Sequence, residues 1–135
     1  MLFGQEHVDR YQATDGREGH EWQGTTVLLL TTTGRKSGRS ITTPLIYQRH
    51  GDDYVIVASK GGAPDSPHWY HNLVADPKVE VQVMGEKFRA DAHTATAEEK
   101  PELWKLMAAT WPAYDDYQTK TDRPIPVVVL SPAGS

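Results

Sequence analysis

The sequence contains no cysteine. That excludes disulfides, thiol catalysis and any cysteine-ligated zinc or iron–sulfur centre. No apolar run approaches the ~20 residues of a membrane-spanning helix. Positive charge is in deficit: 14 Lys and Arg against 18 Asp and Glu give a net charge of -4, which argues against a general nucleic-acid binder. The opening Met1–His7 shows no basic segment followed by an apolar one, so it is not read as a secretory signal. Internal repeats and low-complexity segments are absent, as are a Ser-His-Asp pattern, a nucleophile elbow and a convincing carboxylate pair. A cofactor therefore has to supply any reactivity.

What the chain does have is amphipathic aromatic surface: 4 Trp and 6 Tyr against 2 Phe, a bias that suits pocket walls. Its 135 residues fit one domain with a real core. Residues 1–24 read as a short N-terminal helix, with Val8, Tyr11 and Gln12 on one side, followed by a polar, glycine-rich arm. That arm is either a frayed terminus or a lid that uses Trp22. Residues 25–135 carry the strands. Thr25–Thr33 is β-branched and leucine-rich without alternation, as in a strand buried on both faces. Ser40–Gln48 is a second strand, and Pro44 places it at an edge or a bulge. Tyr54–Ala58, Val79–Val83, Lys87–Ala95 and Pro124–Leu130 complete six strands. Helices are expected over Pro67–Ala75, with Ser66 as its cap, from the Thr96–Glu99 capping box to Thr110, and over Pro112–Thr119. The order α-βββ-α-ββ-α-β with tight hairpins gives a mainly antiparallel α+β fold, curled toward a barrel that hides its edges.

Two glycine turns carry the chemistry. Gly34-Arg35-Lys36-Ser37-Gly38-Arg39 gathers three cations and a hydroxyl where backbone can approach a ligand, a natural answer to phosphate or carboxylate. Its glycine spacing is not that of a Walker loop, and a strand follows it. Ala58-Ser59-Lys60-Gly61-Gly62 adds a fourth cation ahead of a helix N-terminus, where backbone N–H groups favour an anion. Each turn alone reads equally as an ordinary hairpin; together they outline a pocket for a flat cofactor with a negative tail. His68 and His71 are i, i+3 on a helix, but no third metal ligand has a convincing spacing. Tyr114 and Tyr117 share a spacing on a polar segment and suit a substrate wall or a proton donor.

Read together and in order, Leu28–Gly38, Thr43-Pro44-Leu45, Val57–Ala63, Pro67–Leu73, Tyr114–Tyr117 and Thr121–Val127 resemble the deazaflavin-dependent nitroreductase family. The resemblance implies a split β-barrel close to the pyridoxamine-phosphate-oxidase-like flavoproteins. It also implies 8-hydroxy-5-deazaflavin coenzyme (coenzyme F-420) as hydride donor to a quinone, enone or nitroaromatic. By that resemblance Arg35, Lys36 and Gly38, with Arg39, hold the coenzyme tail. Thr43, Pro44, Ala58, Ser59, Lys60 and Gly61 line its ring and linker, and Trp69 and Asn72 border it. Ser59, Tyr114 and Tyr117 are the catalytic candidates, with Ile46, His68 and Trp111 in the substrate wall. Ile41, Ile46, His68 and Trp111 depart from the family's usual residues, at positions that shape substrate choice. An FMN-dependent oxidoreductase on the same barrel and a non-catalytic ligand carrier are the alternatives. The expected setting is cytoplasmic, with peripheral membrane association known among relatives, and a homodimer fits a barrel seam.

Overall fold

The computed structural model describes residues 4–133; residues 1–3 and 134–135, the outer ends of the two expected segments, lie outside the described residues. In chain order the elements are α1 (Gly4–Thr14), β1 (Glu21–Trp22), β2 (Thr25–Thr33), β3 (Ser40–Ile46), β4 (Gln48–His50), β5 (Asp53–Val57), a 3-10 turn (Lys60–Gly62), α2 (His68–Ala75), β6 (Lys78–Val83), β7 (Glu86–Thr94), α3 (Lys100–Thr110), α4 (Ala113–Thr119) and β8 (Val127–Pro132). All strand pairs are antiparallel, in the order β1-β2-β6-β7-β8-β5-β4, with β3 along the other side of β2.

The run expected as one strand, Ser40–Gln48, is broken at Tyr47 into β3 and β4. The break has a structural cause. Upstream of Tyr47 the chain pairs with β2, and downstream it pairs with β5. At the corner the Tyr47 amide donates to the Thr26 carbonyl (3.1 Å), and the ring turns into the interior. This single bend joins the two ends of the sheet and curls it into the split barrel. Pro44 sits on β3, which pairs only with β2, so its missing N–H costs no ladder bond.

The unbroken apolar character of β2 follows from two packing faces. Leu28 and Leu30 point into the barrel beside Tyr54, Ile56, Val128 and Leu130. Val27 and Leu29 point outward, against Val8 and Tyr11 of α1. Likewise Val55, Val57, Val127 and Val129 leave the interior to pack under α3 and α4. Alternation of period two is thus present but hidden, because helices cover the outer face. On α1 the buried residues are His7, Val8 and Tyr11, while Gln12, expected on that face, is exposed. The Tyr11 hydroxyl ties α1 to the barrel: it donates to the Val27 carbonyl (3.0 Å) and accepts from the Met84 amide (2.7 Å). Burial pushes its phenol up to about 12, so it remains a neutral structural donor.

The Thr96–Glu99 capping box forms as the spacing predicts, with reciprocal bonds of 2.9 and 3.2 Å. Because α3 begins at Lys100, Pro101 falls in its first turn, where an absent N–H is harmless. Ser66 does not cap α2. Pro67 occupies that position without a side-chain bond, and the Ser66 hydroxyl instead accepts from Arg123 (3.3 Å).

Candidate active site

A cavity of ≈ 340 Å³ opens between the barrel, α1, α2 and α4, within the size range of small-ligand sites. Its floor and sides are largely apolar: Pro44, Leu45 and Ile46 from β3, Val57 from β5, and Pro67 and Trp69 at the start of α2. Ser59, Lys60 and Gly61 form one rim. Trp111, Tyr114 and Tyr117 come from the α3–α4 corner, and His7 and Trp22 from the N-terminal segment. Nine residues anticipated from sequence therefore meet here: Pro44, Ile46, Ser59, Lys60, Gly61, Trp69, Trp111, Tyr114 and Tyr117.

Others stand apart from the cavity. Arg35, Lys36, Gly38 and Arg39 form an exposed turn between β2 and β3, closed by bonds from the Gly34 amide to the Arg39 carbonyl and from the Gly38 amide to the Gly34 carbonyl (both 2.8 Å). The end of the turn lies five residues along β3 from Pro44, roughly 16 Å at about 3.3 Å per residue. Thr43 is half-buried on β3 between the two, and Ala58 is fully buried at the end of β5. His68 is exposed at the first residue of α2 and does not line the cavity. Ile41 is exposed on β3, with its side chain close to Gly34.

Asn72 links the two halves. It is buried one helical turn beyond Trp69, accepts from the Arg35 amide (3.2 Å) and donates to the Thr32 hydroxyl (3.2 Å). Its amide thus holds the basic turn at a fixed place relative to the cavity. Arg35, Lys36, Arg39 and Lys60 form no ion pair among the described residues. Three cations on the 34–39 turn without carboxylate partners among the described residues, and Lys60 with only a through-space attraction to Asp65, favour an anionic ligand.

The 58–66 segment owes its shape to Arg123, whose role the sequence reading did not assign. Its guanidinium donates to the carbonyls of Ala63 (2.8 Å), Ser59 (2.8 Å) and Ala58 (3.4 Å) and to the Ser66 hydroxyl. Only a planar fork reaches so many acceptors at once. Within that frame Lys60, Gly61 and Gly62 all carry positive φ, and Gly62 is pressed against α4: a Cβ there would lie 2.5 Å from the Tyr117 carbonyl oxygen. The outer end of the segment is pinned by Asp65. It accepts from the Ser66 amide (2.9 Å) and pairs with His71 (3.1 Å), and the His71 hydrogen bond, more than the amide, holds its carboxyl below the usual range.

At the aromatic end a chain of rings runs from His7 to Trp22 (6.4 Å), from Trp22 to Trp111 (6.0 Å), and from Tyr117 to Tyr114 (6.1 Å). The Trp111 indole N–H reaches the Tyr117 hydroxyl at 3.5 Å. Burial, and then the neighbouring Tyr117, push the Tyr114 phenol far above its ordinary value. Tyr114 is accordingly a wall that keeps its proton, and Tyr117, half-buried, is the better-placed hydroxyl. His7 comes from the expected N-terminal helix and Trp22 from the segment read as an arm. That segment has a defined course: His7 bonds the Gly19 carbonyl (2.8 Å), and β1 pairs with β2.

Comparison with known proteins finds relatives in both sequence and fold. Residues 3–132 match the family described as F420H(2)-dependent quinone reductase. An F420H(2)-dependent quinone reductase of Mycobacterium tuberculosis is 46% identical over 129 residues, covering 93% of this chain and 87% of the relative. The solved structure of an F420-H2 dependent reductase, FDR-A, superposes with a TM-score of 0.72 at 42% identity, over 78% of this chain and 93% of that one. A chain solved as a domain-swapped dimer gives a TM-score of 0.75 at 38% identity, over 94% and 96%. At 13% identity and a TM-score of 0.56, over 93% of both chains, a pyridoxamine 5'-phosphate oxidase-like protein of Listeria innocua shares the fold alone.

Proposed function

The chain belongs to the F420H(2)-dependent quinone reductase family, and from that premise we propose that it binds reduced coenzyme F-420 in this cavity and reduces a conjugated acceptor, foremost a quinone. The residues present fit the coenzyme. The cavity walls are apolar enough for a flat ring, and its single charged lining residue among those described is Lys60, at the rim. The observation that carries the reading is the spacing of that cavity from an unpaired basic turn, held in register by Asn72. Lys36, Arg35 and Arg39 hold the acidic tail, Lys60 the linker phosphate, and Pro44, Val57 and Trp69 exclude water from the ring. When bound, the coenzyme supplies a hydride. Ser59 and Tyr117 orient the acceptor's oxygen, and the aromatic wall holds the acceptor ring flat.

Replacing Lys36 with alanine is expected to weaken coenzyme binding by about tenfold, the worth of one charge-assisted contact. Because Lys36 is exposed, the melting temperature should stay within about 2 °C. Unaltered affinity in a fluorescence titration would remove the tail assignment. No helix among the described residues is long and apolar enough to cross a membrane. We propose a homodimer, on the precedent of the relative solved as a domain-swapped dimer.

A further inference from the structure

His7 is buried, yet it borders the cavity. Its Nε2 lies 2.8 Å from the Gly19 carbonyl oxygen, which can only accept, so Nε2 bears a proton in every charge state. Gly19 covers the Cδ2–Nε2 edge of the ring: a Cβ on Gly19 would come within 2.9 Å of Cδ2 and 3.1 Å of Nε2. Nδ1 lies on the opposite edge of the ring, no described residue bonds it, and His7 is a lining residue of the cavity. The tautomer is thereby fixed, and the exchangeable proton belongs to Nδ1.

We infer that His7 turns Nδ1 into the cavity and is the acceptor's hydrogen-bond partner and its proton source. This rests on the reductase reading above and adds a residue to the same site. The imidazolium donates Nδ1–H to the quinone oxygen. As the acceptor gains a hydride, one proton with two electrons, the Nδ1 proton passes to that oxygen and completes the hydroquinone. His7 is left neutral, keeps Nε2–H on Gly19 and regains its Nδ1 proton from solvent. The titratable groups facing the cavity around it are Lys60, Tyr114 and Tyr117. Tyr11 packs beside it against Gly19. His20 turns away to the Tyr47 hydroxyl (2.9 Å), while Glu6 and Glu21 are exposed. No described carboxylate lines the cavity to compete for the proton.

The test uses two amides of different reach. His7→Gln places an N–H near the Nε2 position and preserves the Gly19 bond, but has nothing at Nδ1. His7→Asn places an N–H near Nδ1 and gives up Gly19. Menadione is titrated into the coenzyme-free protein, with quenching of tryptophan fluorescence as the readout. His7→Gln should bind about tenfold more weakly than wild type, while His7→Asn keeps most of the affinity. In turnover His7→Gln should lose about a hundredfold in kcat/KM for menadione, with coenzyme affinity unchanged. Equal menadione affinity in wild type and His7→Gln, or an equal loss in both variants, overturns the proposal, the latter by showing a structural effect. If wild type fails to oxidise reduced coenzyme but menadione binding still follows this pattern, the hydrogen-bonding role of His7 stands and the reductase reading falls.

Discussion

Arg123→Ala is expected to destabilise the protein by about 3 kcal/mol and to weaken coenzyme binding by at least about tenfold, although Arg123 does not line the cavity. Four hydrogen bonds converge on one guanidinium, and two of the carbonyls belong to Ala58 and Ser59, both buried. Removing the fork leaves the Ala58 oxygen without a described partner and the Ser59 oxygen with only the Gly62 amide (2.9 Å), and the 58–66 segment loses the post that spaces Ser59 and Lys60. Arg123→Lys separates the two effects. An ammonium can satisfy one or two of these acceptors, so it should recover part of the stability and little of the affinity. Chemical denaturation and coenzyme titration of both variants check this. An alanine variant with wild-type affinity would mean that the loop holds its shape without Arg123.

Gly62→Ala should be nearly as damaging, for steric reasons. The backbone there has φ +83, and the new methyl would meet the Tyr117 carbonyl at 2.5 Å, Lys120 Cβ at 3.0 Å and Tyr117 Cα at 3.1 Å. Left-handed strain costs about 1–2 kcal/mol and overpacking about 1–3, so about 3 kcal/mol of stability should go. The relaxed structure has to push α4 away from the 3-10 turn, which widens the gap between Lys60 and Tyr117 and lowers turnover. Gly61→Ala is the control. Its φ is +63, but nothing lies within 4 Å of the added Cβ, so it should cost only the strain, about 1–2 kcal/mol. Thermal melts of the pair decide it: similar losses would mean that the contact with α4 contributes nothing.

Local signals in the sequence carried over into structure wherever the physics was local. Pro44 marked an edge strand because a missing donor has meaning wherever it falls. Thr96 and Glu99 marked a helix start because the two groups that satisfy each other are three residues apart. The two basic turns were legible from composition. What stayed hidden depended on distant partners. Ser66 looked like a cap, yet its hydroxyl serves Arg123, far along the chain. Tyr47 looked like one more strand residue, yet the chain changes partners there, because two different strands claim its two sides. His7 sits in a short polar helix with no local reason to be buried. Only Gly19, folding back without a side chain, makes room for its ring. The aromatic cluster was visible as a spacing of Tyr114 and Tyr117, but its extension through Trp111 and Trp22 to His7 is a property of the fold.

The most direct test of the central claim is a titration of the purified protein with oxidised coenzyme F-420, followed by tryptophan fluorescence, with FMN titrated in parallel. Trp69, Trp22 and Trp111 all line the cavity, so a bound ring should quench them. The account predicts saturable quenching by the deazaflavin at micromolar or lower concentration, and much weaker binding of FMN, which lacks the acidic tail that Lys36 and its neighbours would hold. A preference for FMN, or no binding of either, would contradict it.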